Sequence, residues 1–167
     1  MRILAIDYGD RHTGLATCDS FEIIASPYKV IHESDPARLI GVIKDEIAVT
    51  GAELVVVGNP VNNNGTEGKR SEVCKNFAEA LRESLNGGGS NRSSDGTNGS
   101  SGDSALRVVM WDEFSSTVEA NERLDGGLSR QKRDRRGKRV NIDAAAAAVI
   151  LESYLNERRF NRDTRTR

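Results

Sequence analysis

The predicted fold is decided by the stretch Arg2-Ile3-Leu4-Ala5-Ile6-Asp7-Tyr8-Gly9. Its four consecutive apolar residues are typical of a strand that is buried on both faces of a sheet. The strand ends in Asp7, and ligands of open α/β sheets gather at the carboxyl ends of strands. A carboxylate there must be hydrated, paired or bound to metal to offset its desolvation. Asp7 is therefore a candidate functional residue, and the alternative is that it only caps the following turn.

The remaining segments predict a mixed sheet with helices. Two further strands, over residues 15–18 and 21–31, have short links that favour antiparallel neighbours, and Pro27 should bend the second. A helix with Asp35 as N-cap leads to a buried strand at residues 53–57, which makes a parallel, right-handed unit. A helix over residues 69–85, a strand over 106–111, a helix from Ser116 to about Leu124 and a helix over 142–158 complete the α/β pattern. The helix over 69–85 should bury Val73, Phe77, Ala80, Leu81 and Leu85.

Composition favours one domain over residues 1–160, followed by a charged tail at 161–167. The chain has 167 residues, of which 37% are apolar and 29% charged, as in an ordinary globular protein. Residues 87–104 include six Gly, six Ser and no large apolar side chain, so we expect a flexible insertion. Because no apolar run approaches the roughly 20 residues that span a bilayer, we expect a soluble, cytoplasmic protein with no membrane partner.

The charge is distributed unevenly along the chain. The formal net charge is −1, but residues 129–139 hold seven Lys or Arg and one Asp, a local charge of +6. A compact basic segment on an acidic body suggests a polyanionic partner such as nucleic acid. The alternative is a solvated loop that only promotes solubility. The candidate nucleic-acid contacts are Arg11, Lys132, Arg133, Arg135, Arg136, Lys138 and Arg139.

Two other acids occupy positions like that of Asp7. Glu113 follows the predicted strand at residues 106–111, and Asp143 begins a helix whose alanines should let it approach the sheet closely. Counting helical neighbours places Asp143 on the apolar face of that helix. Converging carboxylates repel one another unless a cation neutralises them, and Mg²⁺ or Mn²⁺ favours oxygen ligands. Two such ions would support phosphodiester hydrolysis.

Four motifs in this order resemble the YqgF/RuvX family. They are Ile6-Asp7-Tyr8-Gly9 with Gly14; Val57-Gly58-Asn59-Pro60 with Asn64-Gly65-Thr66-Glu67-Gly68; Asp112-Glu113 with Ser116-Thr117-Val118-Glu119-Ala120; and Asp143-Ala144-Ala145-Ala146-Ala147. The resemblance implies an RNase H-like fold, here a mixed five-stranded sheet with helices on both faces. It also implies a metal-dependent nuclease that processes the precursor of small-subunit (16S) ribosomal RNA.

By this resemblance Asp7, Glu113 and Asp143 correspond to the catalytic, metal-binding acids, with Mg²⁺ or Mn²⁺ as cofactor. RNA is expected as the partner in preference to DNA, and the protein is expected to be a monomer or homodimer. Two positions depart from the family pattern. Phe114 stands where arginine is common, and Asn59 stands where leucine is common. The first departure affects phosphate contact or substrate choice but leaves the three acids intact.

Three alternatives remain open from the sequence. A DNA nuclease resembling Holliday junction resolvases would use the same acids. A non-catalytic nucleic-acid-binding module would bind without metal and without Asp7. A nucleotide-binding lobe of the actin-like or sugar-kinase class is suggested by Asp7, Gly9 and Gly14, although such proteins close two lobes on a nucleotide and this length supplies one.

Overall fold

The computed structural model describes residues 1–61, 67–87, 106–114, 132–133, 139–140 and 142–165, and for residues 113–114, 132–133, 139–140, 163 and 165 it describes the backbone alone. The elements are β1 (Ile3–Asp7), β2 (Thr13–Cys18), β3 (Ala25–Ile31), α1 (Pro36–Thr50), β4 (Leu54–Val61), α2 (Lys69–Asn86), β5 (Arg107–Phe114), β6 (Lys132–Arg133), β7 (Arg139–Val140) and α3 (Ile142–Arg165).

The main sheet has five strands in the order β3-β2-β1-β4-β5. Strand β1 pairs antiparallel with β2 and parallel with β4, and β4 pairs parallel with β5. The predicted mixed sheet is thus confirmed. Its central strand is the apolar stretch that ends in Asp7, and its carboxyl end lies at the same edge of the sheet as those of β4 and β5.

The third strand begins later than the sequence pattern predicts. Phe21, Ile23 and Ile24 lie exposed before β3, which starts at Ala25. Their apolar character indicated a strand, but a backbone turn precedes β3 here, with Asp19 accepting hydrogen bonds from the Ile23 and Ile24 amides. Pro27 lies within β3, where an edge strand tolerates a residue without an amide hydrogen.

Helices cover both faces of the sheet, as predicted. One face packs against α1 and α2 through a core that includes Leu4, Ile6, Leu15, Ile43, Val55, Val57, Phe77 and Leu81. The other face packs against α3 through Ile3, Ala5, Ala16, Leu54, Val56, Ala147, Ile150, Leu151 and Leu155. Residue parity along β1 therefore assigns Ile3, Ala5 and Asp7 to the face that α3 covers.

Two of the predicted helix details are confirmed and two are wrong. Asp35 caps α1 by accepting from the amides of Ala37 and Arg38. The small residues of α3 do pack on the sheet, but the helix continues past the predicted end at Arg158 to Arg165. In α2, Val73 and Ala80 are exposed instead of buried, because the buried face runs through Ser71, Cys74, Phe77, Ala78 and Leu81.

Part of the basic segment forms a short antiparallel pair of strands. Lys132 pairs with Val140 and Arg133 pairs with Arg139 in β6 and β7. The predicted insertion beyond Gly87 and a predicted helix beginning near Ser116 lie outside the described residues. Across the part of the chain that is described, no helix combines the length and apolar character needed to cross a bilayer.

Candidate active site

Asp7 lies at the carboxyl end of the central strand, partly shielded from solvent. Burial raises the pKa of its carboxyl group above the usual value for aspartate, and the negative charge of Asp143 raises it further. The guanidinium of Arg70 acts in the opposite direction. Ionisation of Asp7 is therefore costly in this position, as expected for a carboxylate that binds a cation or a proton.

The start of α3 is brought to Asp7 by a close backbone contact through Gly14. In the β1–β2 ladder Asp7 pairs with Gly14. A Cβ atom built on Gly14 would lie 1.9 Å from the carbonyl oxygen of Asp143 and 2.4 Å from its carbonyl carbon. Any side chain at position 14 would collide with the helix, so glycine is required for this approach. The two acids that the sequence analysis assigned to β1 and α3 are thus neighbours.

His12 lies beside Asp143 in the connection between β1 and β2. Its Nδ1 atom is 3.8 Å from Oδ2 of Asp143, beyond hydrogen-bond distance, and its ring meets that of His32 edge to face at 4.7 Å. The connection turns sharply, since a Cβ atom on Gly9 would lie 2.1 Å from the carbonyl oxygen of His12. A protonated imidazole here would be attracted to the Asp143 carboxylate.

Arg70, in the first turn of α2, fixes the backbone that follows Asp7. Its guanidinium donates to the carbonyl oxygen of Tyr8 and pairs with Asp10. It also lies 5.7 Å from the centre of the Tyr8 ring, which stacks on Phe77 at 4.1 Å. Because hydrogen bonds, charge and ring contacts act together, the residues directly after Asp7 are tied to α2.

A second set of hydrogen bonds joins α2 to the ends of β4 and β5. Ser71 donates from Oγ to Oδ1 of Asn59 at 2.6 Å, and Asn59 donates from Nδ2 to Oδ1 of Asp112 at 2.7 Å. Asn59 and Ser71 are buried, whereas Asp112 reaches solvent. Asp112 directly precedes Glu113. The chain of bonds therefore ends at the residue that precedes the third candidate acid in β5.

The position of Glu113 is described by its backbone alone. It pairs with Pro60 in the β4–β5 ladder, and β5 lies two strands from β1, a separation of roughly 10 Å at ordinary strand spacing. Its convergence with Asp7 and Asp143 stays a prediction. Arg11 is exposed in the β1–β2 connection, and Lys132, Arg133 and Arg139 lie in β6 and β7, while Arg135, Arg136 and Lys138 lie outside the described residues.

The donor set fits a divalent cation in part. Asp7 and Asp143 supply two carboxylates close enough for the charge of one to raise the pKa of the other. Such hard oxygen donors suit Mg²⁺ or Mn²⁺, and a cation would relieve the repulsion. Among the residues whose side chains are described, no group of three or more His, Cys, Asp or Glu forms a metal site. Glu113 is the predicted source of a third carboxylate.

Arg70 and the Ser71–Asn59 pair were not identified from the sequence. A signal existed for Arg70, because an arginine in the first turn of a helix is disfavoured by the helix dipole and therefore suggests a specific partner. Asn59 was noticed only as a departure from the family pattern. An asparagine that ends an apolar strand cannot stay buried without partners, and those partners are distant in sequence.

Comparison with known proteins identifies the family of this chain. The profile of the RuvX family, described as Holliday junction resolvase, matches residues 1–157. A protein of Halothermothrix orenii named "Putative pre-16S rRNA nuclease" is 37% identical over 157 residues, which are 93% of this chain and 95% of that protein. A protein of the same name from Carboxydothermus hydrogenoformans is 35% identical over 162 residues, covering 96% of this chain and all of that protein.

Solved structures support the fold. RuvC of T. thermophilus in complex with Holliday junction substrate aligns with a TM-score of 0.54 at 15% identity, covering 95% of each chain. Another T. thermophilus RuvC structure aligns with a TM-score of 0.51 at 14% identity, covering 95% of this chain and 96% of that one. The predicted RNase H-like architecture is confirmed by this likeness, which at such low identity speaks to the fold alone.

Proposed function

The chain belongs to the RuvX family. From that membership, and from the position of Asp7 at a strand end beside Asp143, we propose that it is a divalent-metal-dependent nuclease. The proposed substrate is the precursor of 16S ribosomal RNA, as the names of its relatives suggest. The observation that supports catalysis most directly is the proximity of Asp7, at the carboxyl end of the central strand, to Asp143, at the start of α3. Activity on ribosomal RNA would place the protein in the cytoplasm.

Asp7, Asp143 and Glu113 are the proposed ligands of Mg²⁺ or Mn²⁺. When bound, such ions supply an activated water and stabilise the charge that develops on a phosphodiester during displacement. The protein contributes a rigid support, because β1 is buried on both faces and Gly14 seats α3 against it. Arg70 holds the carbonyl of Tyr8 and keeps the chain after Asp7 from moving away.

The basic segment supplies the proposed contact with nucleic acid. Its cations, together with the exposed Arg11, would neutralise backbone phosphates without reading the sequence. The antiparallel pairing of Lys132 and Arg133 with β7 supports a common structural unit for part of this segment. Substrate choice would then depend on the shape of the RNA and on where its phosphates meet the acids.

A second candidate function is hydrolysis of four-way DNA junctions, favoured by the family description and by the fold shared with RuvC. The deciding experiment offers the protein single-stranded RNA, structured precursor rRNA, duplex DNA and a four-way junction, each with Mg²⁺ or Mn²⁺. We expect metal-dependent cleavage of the precursor rRNA that Asp7→Asn abolishes. Preferred cleavage of the junction would select the second candidate. Equal behaviour of wild type and Asp7→Asn on every substrate would exclude catalysis at this site.

A further inference from the structure

Two successive residues at the start of α2 contact the ends of two different strands. Arg70 donates to the carbonyl of Tyr8, the residue after Asp7. Ser71 donates to Asn59, which donates to Asp112, the residue before Glu113. The Cα atoms of Arg70 and Ser71 lie about 3.8 Å apart, as in any trans peptide, so the distance between the attachment points of the two side chains is fixed. The first turn of α2 thereby links β1 to β5, which are separated in the sheet by β4.

The orientation of the Asn59 amide follows from its partners. Nδ2 of Asn59 donates to the Asp112 carboxyl oxygen, and Oδ1 of Asn59 accepts from the Ser71 hydroxyl. Asn59 is 1% exposed and Ser71 is fully buried, so water cannot readily replace the hydrogen bond between them. In the parallel ladder Asn59 lies opposite Asp112, which lets one amide join the two strands without distortion.

We propose that Asn59 is a positioning residue, which with Ser71 fixes the end of β5 relative to Asp7. This inference rests on the proposed function, because it takes Glu113 as an acid of the same site. Metal-binding carboxylates must be held within about 0.5 Å of their productive positions, and partners behind the ligands supply that restraint. Asn59 acts through Asp112 on the neighbouring Glu113 and contacts neither the substrate nor the cation.

The experiment compares Asn59→Leu, Ser71→Ala and Asp112→Ala with the conservative Asp112→Asn, which keeps an acceptor for the Asn59 amide. The matched control is Arg82→Met. Arg82 donates to the carbonyl of Val108 at 2.9 Å, so it also joins α2 to β5, but at the opposite end of that strand. For each variant the Mn²⁺ dissociation constant is measured by calorimetry without RNA, and kcat and KM are measured with the precursor rRNA.

We expect Asn59→Leu to weaken Mn²⁺ binding and to lower kcat, each by about 10- to 100-fold, with KM for RNA unchanged. Ser71→Ala and Asp112→Ala should shift both quantities in the same direction, whereas Asp112→Asn and Arg82→Met should match wild type. If the Asn59 hydrogen bonds only attached α2 to the sheet, Arg82→Met would lower Mn²⁺ affinity and kcat as much as Asn59→Leu and the two alanine variants. The two alanine variants keep the test valid if Asn59→Leu does not fold.

The outcomes separate this inference from the proposed function. If wild type cleaves RNA but Asn59→Leu and the alanine variants behave like Arg82→Met, the positioning role is overturned and the nuclease stands. If wild type cleaves nothing while Mn²⁺ affinity still falls selectively in these variants, the positioning role stands and the nuclease is overturned. A wild-type protein that neither cleaves nor binds Mn²⁺ overturns both.

Discussion

Gly14 lies directly against the backbone of Asp143, so closely that a Cβ atom at position 14 would come within 1.9 Å of the Asp143 carbonyl oxygen. Gly14 also pairs with Asp7 in the β1–β2 ladder. Because glycine has no side chain, Asp143 of α3 can lie beside Asp7 of β1. The geometry of the candidate site therefore depends on a glycine that has no chemical role of its own.

Gly14→Ala should separate the two acids. The new methyl group would meet backbone atoms that cannot rotate away, so α3 must shift and Mn²⁺ affinity must fall. We expect a loss of stability of about 1–3 kcal/mol, measured by urea unfolding, and a weaker Mn²⁺ isotherm. The control is Gly41→Ala in α1, where nothing lies within 4 Å of the added Cβ. That change should stabilise the protein by about 0.5–1 kcal/mol. Equal stability of both variants would contradict the close contact.

Asp7→Asn should stabilise the metal-free protein at neutral pH. The pKa of Asp7 is raised in the folded state, mainly by burial and then by Asp143, so its contribution to stability is full below the ordinary aspartate pKa of about 3.9 and is lost as pH rises through the raised value. An amide cannot ionise and avoids that loss. Melting temperatures in EDTA should be higher for the variant at pH 7 and should approach wild type in acid. A lower melting temperature at pH 7 would contradict this account.

Mn²⁺ should raise the melting temperature of wild type through these same acids. At a free concentration about 100 times its dissociation constant, a ligand specific for the folded state adds about 2.7 kcal/mol, or about 5–10 °C for a domain of this size. Asp7→Asn and Asp143→Asn should each lose most of the shift in differential scanning calorimetry. Retention of the full shift in both variants would mean that Mn²⁺ binds elsewhere.

The salt dependence of RNA binding should report the basic segment. Replacing Lys132, Arg133, Arg135 and Arg136 with glutamine leaves fewer phosphates neutralised. The slope of log K against log salt is negative, and on a single strand each lost phosphate contact should make it shallower by about 0.7. The slope is measured by fluorescence anisotropy with Ca²⁺ in place of Mg²⁺. The control is glutamine at Lys44, an exposed residue of α1 whose ammonium donates to Ser84, and it should leave the slope unchanged. An unchanged slope in the fourfold variant would exclude the phosphate role.

Glu46→Gln should weaken the attachment of α1 to β3 at neutral pH only. Lys29 donates to the buried Glu46 carboxylate and lowers its pKa against the effect of burial, and the Tyr28 hydroxyl donates at 2.9 Å. This stability is present above the ordinary glutamate pKa of about 4.3 and is lost as pH falls through the lowered value. We expect the free energy of unfolding in urea at pH 7 to fall by about 1–2 kcal/mol. The expected change is small because solvent screens the charge of the half-exposed Lys29. A difference that persisted at a pH low enough to protonate Glu46 in the folded protein would contradict the charge-based explanation.

The sequence identified the architecture because apolar runs and their breaks report burial directly. The run that precedes Asp7 favoured a strand buried on both faces of a sheet, and Asp35 with Pro36 indicated the start of a helix. The sequence pattern was less informative for apolar residues that lie near the protein surface. Phe21, Ile23 and Ile24 suggested a strand and are exposed, and Val73 was assigned to the wrong face of α2 by a small error in helical phase.

The sequence by itself determined a mixed sheet with helices and Asp7 as a strand-end acid, because those follow from local periodicity and from where apolar runs stop. Five strands with helices on both faces were implied by the resemblance of its motifs to the YqgF/RuvX family. The tertiary structure alone decided that Gly14 seats Asp143 beside Asp7, that Arg70 holds the backbone after Asp7, and that Asn59 joins Ser71 to Asp112. These contacts join residues far apart in the chain, and their geometry depends on how helices pack against the sheet, which no local pattern encodes.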